Sequence, residues 1–535
     1  MRATSSSFGA LTGLGVFAVA WIQAAAPEPG SLEPSKMPRI ATIDDRFQSY
    51  NVEMAEVIGG NFWKPYDSEP RAQTPASTAQ NAARPAGLDP SMFQARPPID
   101  LTNPRLRKLA AALGPVYMRT SGTWANMVYF HDSDTPPPST APTGFQGVLT
   151  RAQWKGVVDF ARAVNARLVS SFTVSQGVRD ASGVWTPDQA RRLVAYTKDA
   201  GGEIVAAEFF NEPNLPSYGG APSGYSVADY ARDFAVFRTF AKTSAPQMRI
   251  VGPGSVGEGT LMSQMPSTGS AVRFVSTEDM LAASPKPVFD VFSYHHYGAV
   301  SRRCASMGPA GQTTPDAALS EEFLSRTDTS FRFYRALRDK FEPGTPIWIT
   351  ETAESACGGN PWAAEFLDTF RYLDQLGRLA RLGVNAVFHN TLAASEYALL
   401  DQTTFAPRPN YWAALLWHRF MGSTVLDAGA SSPDLHVYAQ CLANHPGGVA
   451  LLAINISRTQ EQSLELSKNA DRYTLSADTL NSRAAKLNGR ELTLKADDAV
   501  PEFQPQRVPA GTVKLAPTTI SFLAISDAGN TNCRK

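Results

Sequence analysis

From about residue 100 to residue 420 the chain alternates short apolar, β-branched runs with longer amphipathic ones. Such alternation marks repeated βα units, because parallel strands need a crossover, usually a helix, between them. The strand candidates are Val116–Arg119, Arg167–Val174, Ile204–Phe210, Arg249–Gly252, Val288–Tyr294, Pro346–Thr350 and Val384–His389. An earlier strand around Ser49–Val57 would make eight. Helical runs such as Val227–Thr243 and Phe366–Leu382 fall between them, with apolar residues three and four apart. The expected fold is α/β: a (β/α)8 TIM barrel over residues 38–420. Within it, residues 67–98, rich in Pro, Ala, Gln, Ser and Arg, read as a flexible insertion.

Past residue 420 the long helical runs stop. Short strand candidates (Val437–Cys441, Val449–Ile456, Leu464–Leu466, Glu491–Lys495, Thr518–Ile525) are separated by turns. They predict a β-sandwich domain over residues 421–535. A chain of 535 residues has room for both units.

At the other end, Arg2, the apolar stretch Phe8–Ile22 and the small residues Ala24-Ala25-Ala26 read as a signal peptide over residues 1–26. The competing reading, an uncleaved anchor, needs about 20 strongly apolar residues, and this stretch falls short of that. The protein is therefore expected to be exported, periplasmic or secreted, with no membrane span in the mature chain, and monomeric. The 49 basic residues balance the 49 acidic ones, so no global field attracts nucleic acid. There are four cysteines, Cys304, Cys357, Cys441 and Cys533. In an exported chain they permit two disulfides, and spacing alone does not choose among the three pairings. No CxxC or HExxH motif is present, so neither a metal nor another cofactor is expected.

Two carboxylates carry the chemistry. Glu212 follows the apolar run Ile204–Phe210 in Asn211-Glu212-Pro213-Asn214. Pro213 cannot donate to a sheet ladder, so the strand ends there and leaves Glu212 at the barrel rim. Glu351 follows Trp348-Ile349-Thr350 in the same way. Catalytic groups of such barrels sit at the carboxyl ends of strands. Either residue alone reads equally as a solvated turn Glu. Together, on strands four and seven, they supply the paired carboxyl groups that glycoside hydrolysis needs.

The runs DVFSYHHYG, ITETAESACGGNPW, SEYALLD and PNYWAALLWHRFMGSTVL, in this order along the chain, resemble glycoside hydrolase family 79, the heparanase-like β-glucuronidases. The resemblance extends from about Ile40 to Cys533. It implies a retaining hydrolase of β-linked glucuronic acid, acting on a glucuronic-acid-containing glycoside or polysaccharide, with Glu212 as acid/base and Glu351 as nucleophile. It also implies that Asn211 binds the sugar 2-hydroxyl, that Tyr297 lies beside the nucleophile and that Asp44 contacts sugar hydroxyls. Gly358, Gly359 and Tyr397 would hold the sugar carboxylate, although Cys357 stands where heparanase has a tyrosine. Family members tie the C-terminal tail to an inner strand of the β-domain, which implies Cys441–Cys533. Cys304–Cys357 follows from this chain alone, because loops after strands six and seven adjoin at a barrel rim. In the family, an N-terminal strand near residues 38–44 joins the sandwich. Endo and exo action both remain open, and the neutral composition favours exo action. A neutral-sugar glycosidase of the same clan and an inactive carbohydrate-binding barrel are the rival readings.

Overall fold

The computed structural model describes residues 31–66, 84–85, 87–262, 274–307, 311–429 and 431–534. The expected signal peptide lies outside this range, as do residues 67–83 of the expected insertion. Residues 90–96 form a 3-10 turn (Pro90–Met92) and a strand (Phe93–Arg96), and that strand pairs antiparallel with Gly60–Trp63.

Eight parallel strands close into a barrel: β1 (Gln48–Asn51), β2 (Val116–Thr120), β3 (Ala166–Ser171), β4 (Ile204–Glu208), β5 (Arg249–Val256), β6 (Val291–Val300), β7 (Ile347–Ala356) and β8 (Ala386–His389). They pair in chain order, and β8 closes on β1. The period-two rule orders the interior in layers. Tyr117, Val169, Ala206, Val251, Val291, Trp348, Ala386 and Phe388 form one apolar plug at the floor. Two residues further along, Arg119, Glu208 and Thr350 make the next layer polar.

Several expected boundaries move, and three of them shape the barrel mouth. β1 stops at Asn51, and Met54–Ile58 is a short helix whose capping residue is Glu53. β6 and β7 run on to Val300 and Ala356, pairing from His295↔Glu351 to Val300↔Ala356. The polar residues His295, His296 and Thr352 lie just past the expected strand ends. They are buried strand residues, their polar groups met by Glu212 at the barrel mouth for His295 and by Ser330 and Gln375 of the surrounding helices for His296 and Thr352.

The C-terminal unit is built on one large antiparallel sheet containing Met421–Leu426, Leu435–Leu442, Val449–Asn455, Thr519–Ile525 and Ala470–Ser476 in that spatial order. The N-terminal strand Arg39–Thr42 adds to its edge by pairing with Met421–Leu426. A two-stranded ribbon, Gln462–Leu466 with Gly511–Leu515, covers the outer face and closes a small core with residues such as Leu451, Leu523 and Val513. The inner face joins the barrel core through Leu452, Ile454, Ile520 and Phe522. Both disulfides are present: Cys304–Cys357, with Cα atoms 6.4 Å apart, and Cys441–Cys533, at 5.2 Å. No helix among the described residues is long and apolar enough to cross a membrane.

The two units meet at a buried carboxylate. Asp374, on helix Phe366–Arg381, accepts hydrogen bonds from His436 Nδ1 (2.6 Å) and Tyr438 Oη (2.5 Å) of the sheet, and from Arg378 Nε (2.6 Å). The Tyr438 ring, pinned by that bond, lies over Gly377, where an added Cβ would overlap it. Helix propensity alone makes Gly→Ala favourable by about 1 kcal/mol. Here the opposite is expected: Gly377→Ala should lose about 1–3 kcal/mol through overpacking. A chemical denaturation curve measures this, and a stabilised Gly377→Ala variant would refute the packing.

Candidate active site

Glu208 ends β4, and the chain turns at Asn211-Glu212-Pro213. Glu212 has left-handed backbone (φ 52°), a conformation that costs a non-glycine residue and gathers at functional sites. Asn126 clamps the turn, its Oδ1 accepting from Asn211 N (2.9 Å) and its Nδ2 donating to Asn211 O (3.0 Å). Across the barrel mouth, Glu351 lies midway along β7. One carboxylate oxygen of Glu212, one of Glu351 and a ring nitrogen of His295 all lie within 4.8 Å of one another. This is near the roughly 5–5.5 Å carboxyl spacing of retaining glycosidases and short of the roughly 6.5–9.5 Å of inverting ones.

Arg119, fully buried on β2, organises the group. Its Nε and Nη2 donate to Glu208 Oε2 (3.0 and 2.8 Å), its Nη1 to Glu351 Oε2 (3.0 Å) and its Nη2 to Asn211 Oδ1 (2.7 Å). Because Arg119 takes Oδ1, the Asn211 amide presents its Nδ2 donor elsewhere. The other Glu351 oxygen, Oε1, accepts from Tyr297 Oη at 2.5 Å. Asn390 Nδ2 reaches both Tyr297 Oη (3.1 Å) and Tyr397 Oη (3.2 Å), so a chain of polar contacts runs from Glu351 to Tyr397. Tyr397 in turn packs against Gly359.

These contacts set the protonation states. Burial pushes the Glu208 pKa up, but Arg119, His295 and Thr350 more than offset it and hold the group at about 2. Burial pulls His295 down, yet Glu351, Glu208 and Glu212 raise it to about 9, so its ring is a cation. Burial raises Glu212; Glu351 raises it further, against the lowering pull of the His295 hydrogen bond at 3.1 Å. Glu212, His295 and Glu351 could in principle cage a metal ion. A protonated imidazole and the Arg119 guanidinium already supply the positive charge there, which argues against that use.

Asp44 is not part of this constellation, contrary to the sequence expectation. It precedes β1 at the amino-terminal floor, where Oδ2 accepts from Tyr117 Oη (3.0 Å) and Oδ1 from Arg46 N (2.8 Å). The residue at the mouth is Glu53, two positions beyond β1. Burial raises its pKa well above the usual carboxylate range, and the charge of Glu351 adds to this. Gly122 stands directly against the Glu53 carboxyl, leaving no room for a side chain. Glu53 obeys the strand-end rule that singled out Glu212 and Glu351, and it was hidden because the first strand was drawn through to Val57. Arg119 gave a fainter signal, a lone cation in the strand run Val-Tyr-Met-Arg-Thr. Of the adjacent histidines, His295 faces the site. His296 faces away, donating or accepting with Ser330 Oγ at 2.8 Å, and burial holds it at about 3.

The remaining expected residues come together beside Glu351. Cys357, Gly358 and Gly359 are all left-handed (φ 63°, 79° and 80°), and an added Cβ at Gly358 would meet the Trp63 side chain 2.7 Å away. Among the described residues, neither the Gly358 nor the Gly359 N–H meets an acceptor.

Comparison with known proteins matches this arrangement to a family. The family model "Glycosyl hydrolase family 79, N-terminal domain" matches residues 95–377. Heparanase of Gallus gallus is 26% identical over 502 residues, covering 81% of this chain and 90% of its own. Baicalin-beta-D-glucuronidase of Scutellaria baicalensis is 24% identical over 472 residues, covering 79% and 83%. Among solved structures, the 4-O-alpha-L-rhamnosyl-beta-D-glucuronidase of Fusarium oxysporum superposes with a TM-score of 0.61 at 13% identity, covering 92% of this chain and all of its own, and so shares the fold. With its family match spanning more than half of the sequence, this chain belongs to glycosyl hydrolase family 79.

Proposed function

We propose that the protein hydrolyses β-linked glucuronides with retention of configuration, Glu351 acting as nucleophile and Glu212 as acid/base. The observation that carries this reading is the close approach of the two carboxyl groups across the barrel mouth. The bonds from Tyr297 and Arg119 engage both oxygens of Glu351 and fix its attack direction. In the first step Glu351 bonds to the anomeric carbon while the glycosidic bond breaks, and Glu212 gives its proton to the leaving oxygen. Esterification then removes the Glu351 charge that had raised the Glu212 pKa. Glu212, now more acidic, takes a proton from water, and the hydroxide oxygen displaces Glu351. Asn211 Nδ2 is suited to the sugar 2-hydroxyl, and Glu53, favouring its protonated form, to another ring hydroxyl.

Selection of the uronate is assigned to the open Gly358 and Gly359 N–H groups together with Tyr397. Such donors suit an anion, and the named glucuronidase among the relatives supports a glucuronide substrate. The two disulfides support an oxidising, extracytoplasmic destination.

Nitrophenyl β-glycosides test the substrate. The glucuronide should be cleaved in preference to the glucoside. Tyr397→Phe should weaken transition-state binding of the glucuronide by about 1.5–3 kcal/mol, one hydrogen bond to a charged group, and spare the glucoside. Equal losses on both substrates would remove Tyr397 from the carboxylate grip.

The acid is tested by pH. Glu212 must start protonated, so activity falls as pH rises through its pKa. Because that pKa is raised, the basic limb should lie above the ordinary glutamate value of about 4.3. Glu212→Ala should cost about 10²–10⁴ on a poor leaving group. With a dinitrophenyl leaving group, which needs no proton, the variant should turn over and lose that basic limb. A limb left unchanged would mean that some other group is the acid.

A further inference from the structure

We infer that the segment Ser301–Cys304, which follows β6, is a clasp that presets the Gly358–Gly359 turn, and that its covalent part, Cys304–Cys357, is a specificity-determining positioning element. This rests on the reading in which that turn holds a sugar carboxylate.

The clasp grips the chain on either side of the two glycines, at Ala356, Cys357 and Asn360. Ser301 N donates to Ala356 O (3.0 Å), and Ser301 Oγ donates to Cys357 O (3.0 Å). Arg302 N donates to Asn360 Oδ1 (2.9 Å), while Asn360 N and Nδ2 donate to the two oxygens of Glu354 (2.9 and 3.0 Å). From the other side Glu396 N donates to Gly358 O (3.1 Å). The carbonyls of Ala356, Cys357 and Gly358 are therefore occupied, and the N–H groups of Gly358 and Gly359 are open. Vacant N–H donors bind the oxygens of an anion more strongly than those of a neutral hydroxyl, and the occupied carbonyls offer a hydroxyl no acceptor, so the turn favours a carboxylate.

Holding that state requires three successive left-handed residues, of which Cys357 carries a side chain. Glycine adopts this backbone freely, whereas a residue with a Cβ resists it. The disulfide to buried Cys304 ties down the one residue of the three that would otherwise relax. The catalytic groups do not depend on it. Glu351 is positioned five residues before Ala356, within the paired stretch of β6 and β7, and by Arg119 and Tyr297. Two cations of the clasp itself fit the same purpose: Arg303 stacks on Tyr66 at 4.0 Å and Arg302 at 4.3 Å, so the clasp carries positive charge.

The test is the double variant Cys304→Ala/Cys357→Ala in the full chain, which keeps Cys441–Cys533. Steady-state constants are measured on nitrophenyl β-glucuronide and β-glucoside. Inhibition constants are measured for glucarolactone and gluconolactone, in case glucoside turnover is too slow. KM for the glucuronide and Ki for glucarolactone should rise about tenfold, the loss of roughly one hydrogen bond to a charge. The kcat for the glucuronide and the gluconolactone Ki should stay within about twofold. Ser301→Ala, which keeps the disulfide, should shift the same constants in the same direction by a smaller factor, and serves if the double variant does not fold. Equal changes for the acidic and neutral ligands, or none, overturn the clasp. Tyr397→Phe separates the two levels. If it lowers discrimination and the clasp variants do not, only this inference fails. If it leaves discrimination unchanged, the carboxylate reading fails with it.

Discussion

A single guanidinium, sealed from water at the centre of the barrel, holds the catalytic end of this fold together. Arg119 bonds Glu208 below it, Glu351 across it and Asn211 above it. Removing such a charge from water is costly unless every donor is met and opposite charges surround it. The barrel meets that condition by placing the Arg119 layer directly on the apolar plug of Tyr117, Val169 and Trp348, where period-two alternation brings strand residues two apart to the same interior. The neighbourhood then balances. Two cations, Arg119 and His295, face Glu208 and Glu351, and the two further carboxyl groups, Glu53 and Glu212, are pushed toward their neutral forms. The proposed division of labour between Glu351 and Glu212 follows from this count. The carboxyl group bonded to Arg119 and Tyr297 suits a nucleophile, and the one raised by burial suits an acid.

The strand-end rule made much of the site legible in the sequence. Glu212 and Glu351 each follow an apolar strand run, and both stand at the mouth. The same rule failed at Glu53 for a physical reason. The apolar residues Met54, Val57 and Ile58 belong to a one-turn helix packed on the barrel, and in a run this short helical and strand periodicity are indistinguishable. Resemblance implies a sugar contact for Asp44, but its position before the first strand fixes it at the barrel floor, among Tyr117 and Arg46. β6 and β7 extend past their expected ends because the apolar runs stop at Tyr294 and Thr350 while the strands continue through buried polar residues. The backbone pairing from His295↔Glu351 to Val300↔Ala356 makes them strand, and partners such as Gln375 for Thr352 satisfy their polar groups.

The β-domain was less legible in its details than in its existence. The expected sandwich has unequal layers, one broad sheet and a two-stranded cover packed on a shared core. A sheet packed on a barrel by one face needs little on the other, so a ribbon of two short strands suffices to bury Leu451 and Leu523. The strand Arg39–Thr42 ties the start of the chain to this sheet, and Asn530 Nδ2 bonds the carbonyls of Pro34 and Met37. The two ends of the described chain thus lock together on the domain's outer side, and Asp374 anchors its inner side to the barrel. The sheet braces helix Phe366–Arg381, which packs on β7, the strand that carries Glu351.

The central claim is that Glu351 forms a covalent bond to the sugar. A 2-deoxy-2-fluoro glucuronyl fluoride slows breakdown of such an intermediate more than its formation, so the intact protein should gain the mass of one fluorosugar. Peptide mass spectrometry should find that mass on Glu351. A label on any other residue, or inactivation without a covalent adduct, would contradict the account.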